Sequence, residues 1–367
     1  MNKKEILRII KTFSSERAPS GLEKPRGEIF KTELEKILTE KVIEVNSDSL
    51  NNYFIKLNGN SAKKKIAILA HMDEIGGTIR KIKKNGTLEF SKRGGYEGRW
   101  LISREVAILN KGGNWINGVI GGRSPHATPQ KLRGEESIEP LEMEIYIGAR
   151  DKEEVNEKYM IHIGSPFVFS GQFKLLNEEI DDNIIAGYSM DNLVALTALV
   201  LLTKKIVNNL FDESGTLKIP YDVYIVATSR EEIGTEGALF FARNNPIDEI
   251  IAVDIGLVEN LPGTVSSDVQ LHDGPVIIWQ ELSGTCIFDY QLCKTLVKVA
   301  KQNQIKYQEA VLEYYGSDAG KVQKWLGIPS ALIGIPTMFA HNVPEISTLD
   351  GIEQTTELIY QYLVDKK

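Results

Sequence analysis

The chain has 367 residues, 42% of them hydrophobic and 25% charged, and this length and composition predict a globular protein of about two domains. A net charge of −7 provides no basic surface for nucleic acid or an anionic membrane, so we expect neither as a partner. The two cysteines are too few for a disulfide framework, and the N-terminus lacks an apolar leader, so we expect a cytoplasmic protein.

Helices and strands alternate in two blocks of the chain. The first block has helical patterns to about residue 40 and then strands at "KVIEV", "NYFIKL" and "KIAILAH". The second begins near residue 180 with the apolar helix "DNLVALTALVLLTKKIV", followed by "YDVYIVATS", "TEGALFFAR", "EIIAVDIG", "DYQLCKTLVKVAKQ" and "SALIGIP". This alternation predicts an α/β fold with a mixed, largely parallel sheet flanked by helices.

The part between the blocks has a different pattern. Residues 76–175 contain short strands such as "TLEFSKR", "EVAIL", "GVIGG" and "EMEIYIG" with many glycines. This pattern predicts a small β-rich insertion, PDZ-like or a barrel, with strand edges that need covering. We therefore predict a discontinuous α/β domain, residues 1–75 and 176–367, interrupted by an insertion domain at 76–175.

Charged residues and histidines follow the predicted strands. In an open α/β sheet, ligands gather beyond the carboxyl ends of the strands, so these side chains should lie close together. The candidates are His71 and Asp73 after "KIAILA", Glu231 and Glu232 after "YIVATSR", Asp254 ending "IIAVD", His341 after "GIPTMFA", and Asp191 at the start of the apolar helix.

Each candidate has an ordinary alternative when it is considered alone. His71 and Asp73 could form a turn, the Glu231–Glu232 pair could be solvated, and Asp191 could cap its helix. Asp254 could begin a turn, and His341 could be a satisfied core histidine. Together, however, they supply imidazole and carboxylate donors without a thiolate, which are ligands for a pair of ions such as zinc, cobalt or manganese.

At these residues the chain resembles the dinuclear metallo-aminopeptidases of the tetrahedral (TET) type, including glutamyl and deblocking aminopeptidases and relatives labelled as cellulases. The motifs that carry the resemblance are "SGLEKPRGEI", "AHMDEIGG", "GVIGGRSPH", "GYSMDN", "SREEIGTEGA", "AVDIG", "YYGSDAG" and "IPTMFAHNVPEIS", in the same order and spacing. The chain departs from the family pattern at "SMDN" and at "IGLVEN".

The resemblance implies roles for the individual residues. Asp191 would bridge two divalent metals, with His71 and Asp254 on one metal and Glu232 and His341 on the other. Glu231 would be the general base acting on a metal-bridging water, and Asp73 would orient His71 or a neighbouring ligand. A cis peptide is implied after Asp191. Ser317 and Asp318 resemble a pocket-lining segment, although a helix N-cap explains them as well, and His126 of the insertion is a further substrate-binding candidate.

The resemblance also implies the reaction and the assembly. The reaction would be hydrolysis of the N-terminal residue from a peptide, and the subunits would form dimers through the insertion and shells of up to twelve chains. Two alternatives stay open: a glycoside hydrolase, which would not need the histidines, and an inactive metal-binding assembly protein, which would not need Glu231. The sequence does not mark the preferred N-terminal residue, the physiological metal or the oligomer size.

Overall fold

The computed structural model describes residues 2–39, 43–61, 64–122, 126, 129–130, 143–212, 216–259, 264, 267–282, 286–342 and 344–365. The α-helices of these residues are α1 (Lys3–Ser14), α2 (Lys24–Ile37), α3 (Lys152–Glu157), α4 (Met190–Leu210), α5 (Glu236–Asn244), α6 (Tyr290–Gln302), α7 (Asp318–Leu326) and α8 (Leu349–Asp365).

A twelve-stranded mixed sheet forms the centre of the molecule. With strands numbered along the chain, it contains β1 (Asn46–Ser47), β2 (Tyr53–Leu57), β3 (Lys64–His71), β10 (Lys174–Leu175), β11 (Ile184–Gly187), β12 (Tyr221–Thr228), β13 (Glu249–Val258), β14 (Val276–Glu281), β15 (Cys286–Ile287), β16 (Gln308–Leu312), β17 (Ser330–Met338) and β18 (Glu345–Thr348). The central strands β12, β3, β13 and β17 are parallel neighbours, and β2 pairs antiparallel with β12.

The central strands are almost continuously apolar, as expected for strands covered on both faces. Helix α4 contacts β3 and β13 together with α1, α2 and α8, while α7 contacts the same two strands together with α5. By length and composition α4 could span a membrane, but 72% of its apolar window is buried in the fold, as in a core helix. The α/β fold prediction is confirmed.

The other strands close into a six-stranded antiparallel barrel with its own apolar core. They are β4 (Gly76–Ile82), β5 (Leu88–Arg93), β6 (Glu105–Leu109), β7 (Trp115–Gly121), β8 (Glu144–Tyr146) and β9 (Pro166–Phe169). The expectation of strand edges that need covering is wrong, because closure pairs each barrel strand on both sides. The domain boundaries at 75/76 and 175/176 stay a prediction.

Two of the predicted strands differ from the structure. In "KVIEV", residues 43–45 are not in a strand, and residues 41–42 lie outside the described residues. Asp254 does not end its strand, because β13 continues to Val258 alongside β17, where Val258 pairs with Met338. Asp254 therefore lies inside a strand, and its access to ligands depends on the other neighbour of β13.

Candidate metal centre

The sheet opens between β3 and β13, and the candidate residues surround this opening. These two strands pair only from Ile66 opposite Glu249 to Leu69 opposite Ala252, whereas β3 stays paired with β12 as far as His71. The unpaired side of β13 beyond Ala252 therefore faces the end of β3. His71 Nε2 lies 3.8 Å from Asp254 Oδ1 across this gap. The local splitting of the sheet makes the mid-strand Asp254 accessible.

Asp191 lies between two imidazoles, with one carboxylate oxygen facing each of them. Its Oδ1 lies 2.9 Å from His71 Nε2, and its Oδ2 lies 3.3 Å from His341 Nε2. The same nitrogen of His341 lies 3.5 Å from Glu232 Oε2. His71, Asp191 and Glu232 have donor atoms that all lie within 4.8 Å of one another. These residues form one continuous centre.

The start of α4 orients Asp191 into this centre instead of using it as a helix cap. Ser189 has the left-handed φ of 57°, Asp191 and Asn192 have non-helical backbone angles, and the peptide bond between these two is cis, as the resemblance implies. Asn192 Nδ2 donates to Val253 O at 3.0 Å, and Asp191 N donates to Glu345 Oε2 at 3.1 Å. This end of the helix is thus fixed on both sides.

Both imidazoles are oriented through Nδ1, which leaves Nε2 directed at Asp191. The His71 Nδ1 lies 3.2 Å from the carbonyl oxygen of Asp73, and the His341 Nδ1 contacts the carbonyl oxygen of Gly95 in the barrel. A carbonyl only accepts, so in this network each Nδ1 carries the proton and donates it. Nε2 is therefore the nitrogen that faces the centre, and after it loses its proton its lone pair can bind a cation.

The turn that carries Glu231 and Glu232 is bound to the carboxylate of Asp73. Glu231 N donates to Asp73 Oδ1 at 2.9 Å, and Glu232 N donates to Asp73 Oδ2 at 3.2 Å. The Asp73 carboxylate lies farther from His71 Nδ1, at 3.6 Å, than its carbonyl does. Asp73 therefore orients His71 through its backbone and the glutamate turn through its side chain.

Burial and crowding of like charges perturb the pKa values of this centre. Burial raises the pKa of Glu232 to about 8 and that of Glu231 well above its usual range. Burial also raises the pKa of Asp254, and the nearby Asp191 adds to this effect. Burial opposes ionisation of Asp191 too, yet His341 and His71 keep its pKa low. Without a cation, these carboxylates repel one another.

The three candidate substrate-binding residues have different surroundings. Ser317 is fully buried, accepts from Gly320 N as the N-cap of α7, and donates to Glu281 Oε2 at 2.7 Å. Asp318 is buried, accepts from Thr228 Oγ1 at 2.5 Å, and burial raises its pKa to about 7. His126 is exposed in a turn, and the contacts of the described residues do not join it to the centre. Their substrate-binding role stays a prediction.

Sequence reasoning missed Glu345, a buried carboxylate that supports the centre from β18. Its Oε1 accepts from His341 N at 2.8 Å, and its Oε2 accepts from Asp191 N at 3.1 Å. It therefore fixes the backbone of two candidate ligands that are 150 positions apart in the chain. The spacing of four between His341 and Glu345 in "HNVPE" was the available signal.

The donor set fits divalent cations. Ligands bound at about 2.1 Å to one tetrahedral ion lie about 3.4 Å apart, and the histidine–carboxylate separations range from 2.9 to 3.8 Å. Imidazole and carboxylate donors match zinc, cobalt or manganese. Cations would also offset the repulsion among the buried carboxylates.

The fold and this centre together define a metal-dependent hydrolase of the α/β class. A family model described as M42 glutamyl aminopeptidase matches residues 51–358, and the chain belongs to this family. The prediction of a peptide-bond hydrolase is thereby confirmed, as is the resemblance found in the motifs.

Individual relatives agree with this family. The chain is 30% identical to a putative aminopeptidase of Acetivibrio thermocellus over 98% of this chain and 99% of the relative. A TET aminopeptidase structure from a marine-sediment Thaumarchaeota archaeon superposes with a TM-score of 0.87 at 25% identity, covering 98% and 96% of the two chains. The Pyrococcus horikoshii TET1 peptidase, described as assembling into a tetrahedron or a large octahedral shell, gives 0.80 at 26% identity over 98% and 99%.

Proposed function

We propose that the protein is a dinuclear metallo-aminopeptidase that removes N-terminal residues from peptides. The observation that carries this proposal is the Asp191 carboxylate, which presents one oxygen to each of two imidazoles at 2.9 and 3.3 Å. A carboxylate in that position can bridge two cations. His71 and Asp254 would complete one site, and Glu232 and His341 the other.

The chemistry follows from this division of residues. When bound, the two ions would polarise the scissile carbonyl and lower the pKa of the attacking water. Glu231 makes none of the close contacts to the histidines that support ligand roles for the other carboxylates, so it is free to accept a proton. It takes that proton from the attacking water and delivers it to the leaving amine. Asp73 holds the Glu231 backbone in place during this transfer.

A glycoside hydrolase would use two carboxylates on opposite faces of a sugar and would not need paired histidines. An inactive assembly protein would not need Glu231. Assaying aminoacyl-chromophore and cellulosic substrates side by side, with and without a chelator, separates these functions. We expect chelator-sensitive release only from the aminoacyl substrates; turnover of cellulose, or no turnover of either after metal loading, would contradict the proposal.

The metal content of the protein tests the dinuclear proposal. The five proposed ligands should hold about two divalent ions per chain, about 3.5 to 4 Å apart as in other two-metal sites. Elemental analysis after loading with zinc, cobalt or manganese measures the ratio, and anomalous scattering locates the ions. A saturating content of one ion per chain would contradict the bridging role of Asp191.

The assembly is the second prediction, and it rests on the shell-forming relative. We propose a homo-oligomer of dimers, up to a dodecamer, in which the barrel supplies subunit contacts. A short linker can bridge the ends of a barrel deletion, because β4 and β9, the first and last strands of the barrel, are adjacent, with Gly76 opposite Val168. Replacing roughly residues 80–170 by a short linker should give a smaller species in light scattering. An unchanged mass would remove the barrel from the assembly.

The same deletion is not expected to retain activity. The barrel carbonyl of Gly95 is the partner of His341 Nδ1, and the barrel residue Arg104 donates to Asn342 Oδ1 at 2.7 Å beside it. Only the mass of the shortened chain therefore tests the assembly. The cytoplasmic location of the protein stays a prediction from the sequence.

A further inference from the structure

The turn that carries Glu231 is held by side-chain acceptors at four consecutive backbone N–H groups. Asn52 Oδ1 accepts from Ser229 N at 2.9 Å, and Glu23 Oε1 accepts from Arg230 N at 3.1 Å. The next two N–H groups, of Glu231 and Glu232, donate to Asp73. A turn bound at each successive amide has little freedom to move its side chains.

The backbone of this turn requires such support. Arg230 has the left-handed φ of 55°, a conformation that is uncommon for residues other than glycine. Because Arg230 immediately precedes the proposed general base, its backbone angles set the direction in which the Glu231 side chain leaves the turn. The group that fixes Arg230 N therefore controls the position of the base.

Glu23, the residue that accepts from Arg230 N, has an unusual environment for a glutamate. It is completely buried, its Oε1 also accepts from Gly21 N at 2.6 Å, and its Oε2 has no hydrogen-bond partner. A buried carboxylate oxygen without a hydrogen-bond partner is unfavourable, so the two hydrogen bonds accepted by Oε1 must offset the cost of placing Glu23 here. The neighbouring Ser20 donates to Asp73 Oδ2 at 2.6 Å, so the same segment supports both carboxylates that bind the turn.

We propose that Glu23 is a positioning residue for the reaction, acting through Arg230 N to fix the direction of Glu231. This inference rests on the proposed function of Glu231. It gives a role in the reaction to the segment around residues 20–23, which precedes the part of the chain matched by the family model.

Three substitutions of Glu23 separate the hydrogen bond from burial and charge. Glu23→Met keeps the length but removes the acceptor, so kcat should fall about 10- to 100-fold, the scale for misplacing a catalytic group by about 1 Å. Glu23→Asp keeps the charge but is one methylene shorter, so it should lose part of kcat. Glu23→Gln keeps an acceptor oxygen and should stay within about threefold of the parent enzyme, since a geometry-preserving exchange leaves the base in place.

Glu33→Met is the matched control. Glu33 is another buried carboxylate, ten residues further along the chain in α2, and its partners are Arg8 and Lys36. This variant should change stability without changing kcat. KM and metal content should stay near the parent values in all three Glu23 variants, because Glu232 N keeps its own hydrogen bond to Asp73 and no substrate contact is altered. Amide hydrogen exchange of a peptide covering residues 229–235, measured without metal, should rise in Glu23→Met and not in Glu23→Gln.

The kcat values and metal contents of the Glu23 variants test the positioning role directly. A normal kcat in Glu23→Met, an equal loss in Glu23→Gln, or loss of metal in place of kcat would overturn the inference. If Glu23→Met does not fold, Glu23→Asp replaces it in the test, and a normal kcat in Glu23→Asp would overturn the inference. Glu231→Gln is measured in parallel: if it is inactive while the Glu23 variants are normal, only the positioning role fails, and if it is fully active the proposed function itself fails.

Discussion

Glu231→Gln should lower kcat by roughly 10² to 10⁴ while leaving the metal content unchanged. The amide has the size and hydrogen-bonding capacity of the carboxylate but cannot accept the proton of the attacking water. Because the backbone of Glu231 would still donate to Asp73 Oδ1, the turn should keep its conformation. Steady-state kinetics with an aminoacyl substrate and elemental analysis of the same preparation make the measurement.

Glu236→Gln is the matched control for this substitution. Glu236 lies in the same segment, but its side chain is half exposed and its partner is the guanidinium of Arg230. The exchange there should leave kcat within about twofold, as is usual for surface positions. Loss of metal in Glu231→Gln, combined with slow turnover at full occupancy in Glu232→Gln, would exchange the proposed roles of the two glutamates. Full activity in Glu231→Gln would rule out the proposed proton transfer.

The strand-end rule located much of the centre from the sequence. His71 ends β3, and the Glu231–Glu232 pair and His341 follow β12 and β17. Their proximity results from the common direction of these strands. The strands themselves could be predicted, because parallel strands that are buried on both faces are nearly continuous apolar runs.

Asp254 shows where the rule fails. It faces the centre from inside β13, because β3 and β13 separate beyond Ala252, and no local pattern in either strand reveals where two distant strands stop pairing. Glu345 and Glu23 were not identified for a related reason. Glu345 accepts from Asp191 N and Glu23 accepts from Arg230 N, both far away in the chain, and these contacts are visible only when the folded backbone is known.

The barrel illustrates a different limit. Its strands were recognisable as short β segments and a barrel was one of the forms expected, but the individual pairings that close it, such as Gly76 with Val168, are set by three-dimensional curvature. The contact between Gly95 and His341 could not be predicted from the sequence either, because every residue has a backbone carbonyl. The insertion therefore contacts the candidate metal centre, in addition to its proposed role in assembly.

Asp191→Asn should have the largest effect on metal binding of any single substitution in the centre. The amide loses the negative charge shared between His71 and His341, and it offers only one oxygen, so one of the two proposed metals must lose a ligand while both lose charge. Loss of an outer contact to a ligand already costs 10- to 100-fold in affinity, so loss of this ligand should exceed roughly 10²-fold for the weaker site.

Glu232→Gln provides the comparison that makes this result specific. Glu232 Oε2 lies 3.5 Å from His341 Nε2 and is assigned to the metal on that side, so its amide should weaken that ion more than the other. Activity of Glu232→Gln should return partly at high metal concentration, because mass action refills a single weakened site. Asp191→Asn should show little return at the same concentration, because both sites are affected.

Asp222→Asn is the control for removing a buried aspartate from this fold. Asp222 is also buried, and it lies at the start of β12, the end of the strand away from the Glu231–Glu232 turn. There it accepts from Gly59 N at 3.0 Å and pairs with Lys56. Its amide variant should be less stable and still bind the full complement of ions. Isothermal titration of metal-free protein with zinc gives the number of sites and their affinities for all three variants. If Asp191→Asn bound two ions with parental affinity, the bridging carboxylate and the dinuclear mechanism built on it would both be wrong.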